Sequence, residues 1–98
     1  MATFISLVNL TAQGVKDLKA SPDRAGKFKA TAQKAGVTVK ELYWTIGAYD
    51  IVMILEAPDD ETVAGVLVGL VALGNVKTQT MRGFNATEMK EIISRMPS

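Results

Sequence analysis

The spacing of apolar positions changes repeatedly along the chain, and each change marks an element. Thr3–Asn9 is apolar on both alternating faces, with Phe4, Ile5, Leu7 and Val8, as a strand covered on both sides requires. Thr11 is placed to cap a short helical turn carrying Val15 and Leu18. Ser21, Pro22 and Asp23 signal a new helix start, with Ser21 as N-cap. Ala25, Phe28, Ala32 and Ala35 then recur at helical spacing up to Gly36. Val37–Ile46 and Tyr49–Ala57 alternate as strands. Gly47-Ala48 fits a two-residue type II′ turn between them. That turn sets a register: Ile46 faces Tyr49, Thr45 faces Asp50, Trp44 faces Ile51, Tyr43 faces Val52 and Leu42 faces Met53. One face then collects Leu42, Trp44, Ile46, Tyr49, Ile51, Met53 and Leu55, the better surface for packing helices. The other collects Glu41, Tyr43, Thr45, Asp50, Val52 and Ile54.

Pro58-Asp59-Asp60-Glu61 opens the next helix with acids at its positive end. Val63, Val66, Leu67 and Leu70 form one stripe, but Val68, Val71, Ala72 and Leu73 leave little polar surface elsewhere. A chain of 98 residues has nothing to cover a second apolar side, so the pattern implies a homo-oligomer. Gly65 and Gly69 would admit another backbone closely. Gly74-Asn75 ends this helix, and Val76–Phe84 is a fourth strand, with Thr78, Thr80 and Arg82 on one side and Gln79 and Met81 on the other. Asn85 and Glu88 have capping-box spacing before a last helix striped by Met89, Ile92, Ile93 and Met96. The order β-α-β-β-α-β plus a C-terminal helix is a single ferredoxin-like α+β domain over residues 1–98, with a four-stranded antiparallel sheet and helices on one face.

Composition narrows the chemistry. There are no Cys and no His, which removes disulfides, thiolate nucleophiles, Cys/His zinc sites and imidazole bases. Ser6 therefore has no His to activate it. The net charge of +1 does not favour nucleic acid. The third-strand segment YDIVMILEA, with one Tyr, two acids and no base, is unlike an RNA-binding strand. Charge is nonetheless ordered: residues 1–40 carry an excess of five bases, 41–61 six acids and no base, and the remainder an excess of two bases. The longest apolar run, Val63–Leu73, is far short of the roughly 20 residues of a membrane span. The first ten residues lack a basic start, so a cytoplasmic protein without a targeting segment is expected.

The polar positions placed on the mixed sheet face are Ser6, Tyr43, Thr45, Asp50, Thr78, Thr80 and Arg82. Arg82 could hold a carboxylate or phosphate, or pair with Asp50 or Glu41 within the sheet face. Asp50 could act as acid or base, pair with an arginine, or cap the turn. Glu41 and Asp50 alone do not make a metal site, and no cofactor is implied. Trp44 and Tyr49 are placed in the core, and Met53, Met81, Met89 and Met96 read as core fillers.

Several stretches carry a family resemblance. Gly47-Ala48-Tyr49-Asp50 followed by Ile51-Val52 resembles the signature of the GYD-domain family. So do Thr11, Gly14, Lys19, Ser21, Pro22 and Arg24 in the order TxxGxxxxKxSPxR, EAPDDE at 56–61 and LGNVKTQTMRGF at 73–84. The resemblance implies the dimeric α/β-barrel type of ferredoxin-like fold, in which two sheets face each other around a cavity. It implies no reaction, since such barrels serve as ligand sensors, cofactor-free oxygenases, isomerases and haem enzymes. The absence of His disfavours haem. The expectation is an oligomeric protein binding a small molecule, anionic ones included, through Tyr43, Thr45, Asp50, Thr78, Thr80 and Arg82. The alternative is a cofactor-independent enzyme of oxygenase or isomerase type, with Asp50 as acid/base and Tyr43 or Arg82 stabilising an oxyanion.

Overall fold

A computed structural model describes residues 1–97. The strands are β1 (Ala2–Leu10), β2 (Thr38–Trp44), β3 (Ile51–Ala57) and β4 (Val76–Gly83). The helices are α1 (Ala12–Lys16), α2 (Ser21–Lys34), α3 (Asp60–Ala72) and α4 (Ala86–Ser94), with a 3-10 turn at Leu18–Ala20. The sheet is antiparallel in the order β2-β3-β1-β4. Trp44 faces Ile51, Tyr43 faces Val52 and Leu42 faces Met53, the register that the hairpin predicts. A bulge between Val39 and Glu41 resets the pairing further along.

One sheet face carries the core. Phe4, Val8, Ile51, Met53 and Leu55 are buried with Phe28 and Ala32 of α2 and Val63 and Leu67 of α3. Helix ends follow the sequence signals where a side chain can reach a free N–H. Thr11 caps α1 by accepting from Gly14 N, Asp59 caps α3 by accepting from Thr62 N, and Asn85 and Glu88 form both bonds of a capping box on α4.

Several expectations are corrected. Ser21 is not an N-cap: the 3-10 turn runs straight into α2, Ala20 holds the cap position, and the Ser21 hydroxyl accepts from Trp44 Nε1 at 3.0 Å. The strands end at Trp44 and Ile51; Thr45 N–H still bonds Asp50 O at 2.8 Å, as the expected facing of these two residues requires, but residues 46–49 form a wider loop with Gly47 at φ +136° instead of a two-residue turn. Asp50 N–H goes to Val8 O at 2.9 Å, which ties this end of the loop to β1. Ile46 consequently points into solvent, and Tyr49 crosses β1 to donate to Gln79 Oε1 at 3.1 Å, away from the core. Of the four methionines read as fillers only Met53 is buried; Met81, Met89 and Met96 are exposed. Val15 and Leu18 are exposed as well.

Candidate functional site

The sheet register separates the residues expected to form one pocket. Phe4, Ser6 and Val8 face the helices, and their partners across β1 and β4 are Arg82, Thr80 and Thr78. Thr78, Thr80, Arg82 and Ser6 therefore lie on the helix face, opposite Tyr43. Ser6 is fully buried and its hydroxyl pairs with that of Thr80 at 2.9 Å, which satisfies both groups inside the protein.

Arg82 is committed to structure. Its guanidinium lies 4.5 Å from the Phe84 ring centroid and 5.6 Å from that of Phe4. It donates to the carbonyls of Thr3 (3.2 Å) and Gly83 and pairs with Glu88 at 3.6 Å. These contacts tie the start of α4 to the sheet edge.

Asp50 is equally committed. Its Oδ2 accepts Leu10 N at 2.8 Å, which closes the end of β1 where α1 begins. Several of the other residues that carry the family resemblance, Thr11, Gly14, Arg24, Gly74 and Asn75, gather at this end. Thr11 donates its hydroxyl to Gly74 O at 2.6 Å and its N–H to Asn75 O at 3.0 Å. Gly14 sits so close to that loop that a Cβ would fall 2.1 Å from Asn75 O, so only glycine fits. Arg24 donates to Asp17 O and Gly14 O, at 2.8 and 3.2 Å, holding the turn before α2. Thr45 is turned inward within its loop, donating its hydroxyl to Tyr49 O at 2.6 Å.

Tyr43 alone of the six lies in a strand of the open face. It donates to Glu41 Oε2 at 2.8 Å, and that bond together with the adjacent negative charge raises its pKa. Asp50 and Arg82 sit near opposite ends of the sheet: their partners Leu10 and Phe4 are separated along β1 by about 20 Å. The triad of Asp50, Tyr43 and Arg82 therefore cannot converge on one substrate. Among the described residues no group of three or more acidic side chains gathers as metal ligands, and no helix is long and apolar enough to cross a membrane.

Two surfaces remain. The open sheet face carries two registered apolar rows, Tyr43–Val52–Leu7 and Ile54–Ile5–Met81, rimmed by Glu41, Glu56, Asn9, Lys77 and Gln79. Among the described residues the helices that pack on the sheet lie on its other face. On the other face, α2 and α3 stand apart and leave a cleft of about 720 Å³, floored by Val8, Ile51 and Met53. Sequence reading missed this cleft. Its signal was present in the small residues Ala25, Ala35, Gly65 and Gly69, which line it.

The whole chain has known relatives. The family model of the GYD domain matches residues 4–93. A Thermus thermophilus protein described as a glutamine synthetase and cystathionine beta-lyase binding protein is 35% identical over 97 residues, covering 98% of this chain and 99% of its own. Among solved structures, TTHA0845, also from Thermus thermophilus, superposes with a TM-score of 0.58 at 24% identity, over 88% of this chain and 96% of that one. FFRP-DM1 superposes with a TM-score of 0.62 at 20% identity, over 86% and 100%. Both share the fold.

Proposed function

The chain belongs to the GYD-domain family, and from that footing we propose that it is a self-associating binding protein that acts by contact with other proteins rather than by turning over a substrate. The observation that carries this reading is the open sheet face. Its centre is Met81 with the half-buried Ile5, Leu7, Val52 and Ile54, its rim is polar, and among the described residues the helices pack on the opposite face. An apolar centre inside a polar rim is the anatomy of a protein interface. A second copy, sheet against sheet, is the occupant proposed. Any ligand held between two such sheets would meet Tyr43 and Gln79, not Arg82. The exposed side of α3, with Val68 at 68% and Val71 at 39%, offers further apolar surface for assembly or partners.

Glutamine synthetase and cystathionine beta-lyase, which the Thermus relative is named for binding, are the first partners to try. The same reading puts the protein in the compartment of those enzymes. Titration of each purified enzyme with the full chain, followed by calorimetry, tests it. Saturable binding to at least one supports the proposal, and heat of dilution alone from both overturns the choice of partners. Ile54→Glu, which places a charge at the centre of the sheet face, is expected to convert the assembly to folded monomers.

A further inference from the structure

We propose that the cleft between α2 and α3 binds an elongated apolar molecule with an anionic end, of the class of medium-chain carboxylates. The cleft lies on the opposite side of the sheet from the proposed self-contact, so the two stand or fall separately.

Its volume of about 720 Å³ lies within the range of small-molecule sites. The floor is core: Val8, Ile51 and Met53 are each less than a tenth exposed. The walls are Phe28 and Leu42 on one side, Val66 and Leu70 on the other. Such a surface binds water poorly and hydrocarbon well. The twelve residue steps of chain from Glu61 to Leu73 along the α3 wall span about 18 Å, the reach of an extended medium-length chain.

Gly65 and Gly69 make the room. Both are on the α3 wall, neither has a positive φ, and a Cβ at either would meet nothing within 4 Å. Glycine weakens a helix interior, and no backbone contact within the chain calls for it at these two positions. The charges give the cleft a direction. Arg24 and Lys27 line it from the first half of α2, and Glu61 lines it from the start of α3, at the other end because the two helices follow antiparallel strands. Arg24 is held by its backbone acceptors, whereas Lys27 joins none of the ion pairs among the described residues. An anionic head is therefore placed beside Lys27, with the tail running toward Gly65.

Trp44 is the only tryptophan, and its indole donates to Ser21, a buried residue of the cleft lining, so its fluorescence is expected to report occupancy. The test titrates the full chain with dodecanoate and, separately, with dodecyltrimethylammonium, below their micelle concentrations, by Trp44 emission and calorimetry. Saturable binding of one dodecanoate per chain is expected, with at least tenfold weaker binding of the cation. Gly65→Leu and Gly69→Leu fill open space, so both remain folded by circular dichroism, and each is expected to lower affinity for dodecanoate at least tenfold. Lys27→Ala is expected to lower it about fivefold, and Lys90→Ala on α4 to leave it unchanged. Absence of saturable dodecanoate binding, equal binding of the cation, or wild-type affinity in both leucine variants overturns the proposal. So does a change of oligomeric mass in the leucine variants without a change in dodecanoate affinity, which would make the cleft a contact between chains.

Discussion

The carboxylate of Asp50 accepts Leu10 N at 2.8 Å, and Leu10 is where β1 gives way to α1. Asp50→Ala leaves that N–H without its partner and is expected to cost about 1–3 kcal/mol, read from urea unfolding. Gly14→Ala is expected to cost more, about 3 kcal/mol or above, since the new Cβ would overlap Asn75 O and the α3–β4 loop would have to move. These residues were legible in the sequence as a motif but not as a role. Asp near a turn serves catalysis and structure alike, and the choice depends on Leu10, forty residues away in the chain. Arg82 and Thr80 were misplaced for a different reason. Alternation in β4 correctly separates Thr78, Thr80 and Arg82 from Gln79 and Met81. The strand has too few apolar residues on either side to say which set faces the helices. The decision rests on partners elsewhere in the fold: Ser6 satisfies Thr80, while Arg82 lies over the rings of Phe4 and Phe84.

At the scale of elements, helices and strands were legible because their signals are local: capping residues at Thr11 and Asn85, the acids that open α3, and alternation through β3. The loop at 45–50 was not, because hydrogen bonds to β1 shape it. Helix α3 gives two checks. Asp59 Oδ1 accepts both the N–H and the hydroxyl of Thr62, at 2.8 and 2.6 Å, and these bonds lower its pKa. Its folded value thus lies below its unfolded value, so the stabilisation is present above the ordinary carboxylate pKa of about 3.9 and is lost as pH falls through the folded value. Asp59→Asn keeps a capping oxygen but cannot titrate. Urea unfolding across the acid range is expected to show a shallower fall in stability for the variant than for the parent. Gly69→Ala adds a methyl into open space on the same helix and is expected to raise stability by about 1 kcal/mol in thermal unfolding.

At the scale of the molecule, apolar surface is in excess. Among the described residues, Tyr43 and Met81 on the open sheet face, Val68 and Val71 on the outer side of α3, and Met89, Ile92, Ile93 and Met96 on α4 are exposed, and Ile5, Leu7, Val52 and Ile54 at the centre of the open face are half-buried. The all-round apolar pattern of residues 63–73 announces this surplus in the sequence. Which surface meets a second copy is a matter of sheet register and helix placement, visible only once the strands are paired. Sedimentation velocity at micromolar concentration tests self-association through the sheet face most directly, with the wild-type chain run beside Ile54→Glu. The prediction is a wild-type species at a multiple of 10.5 kDa that falls to a folded 10.5 kDa species in the variant. A wild-type chain sedimenting as a single 10.5 kDa species would contradict it.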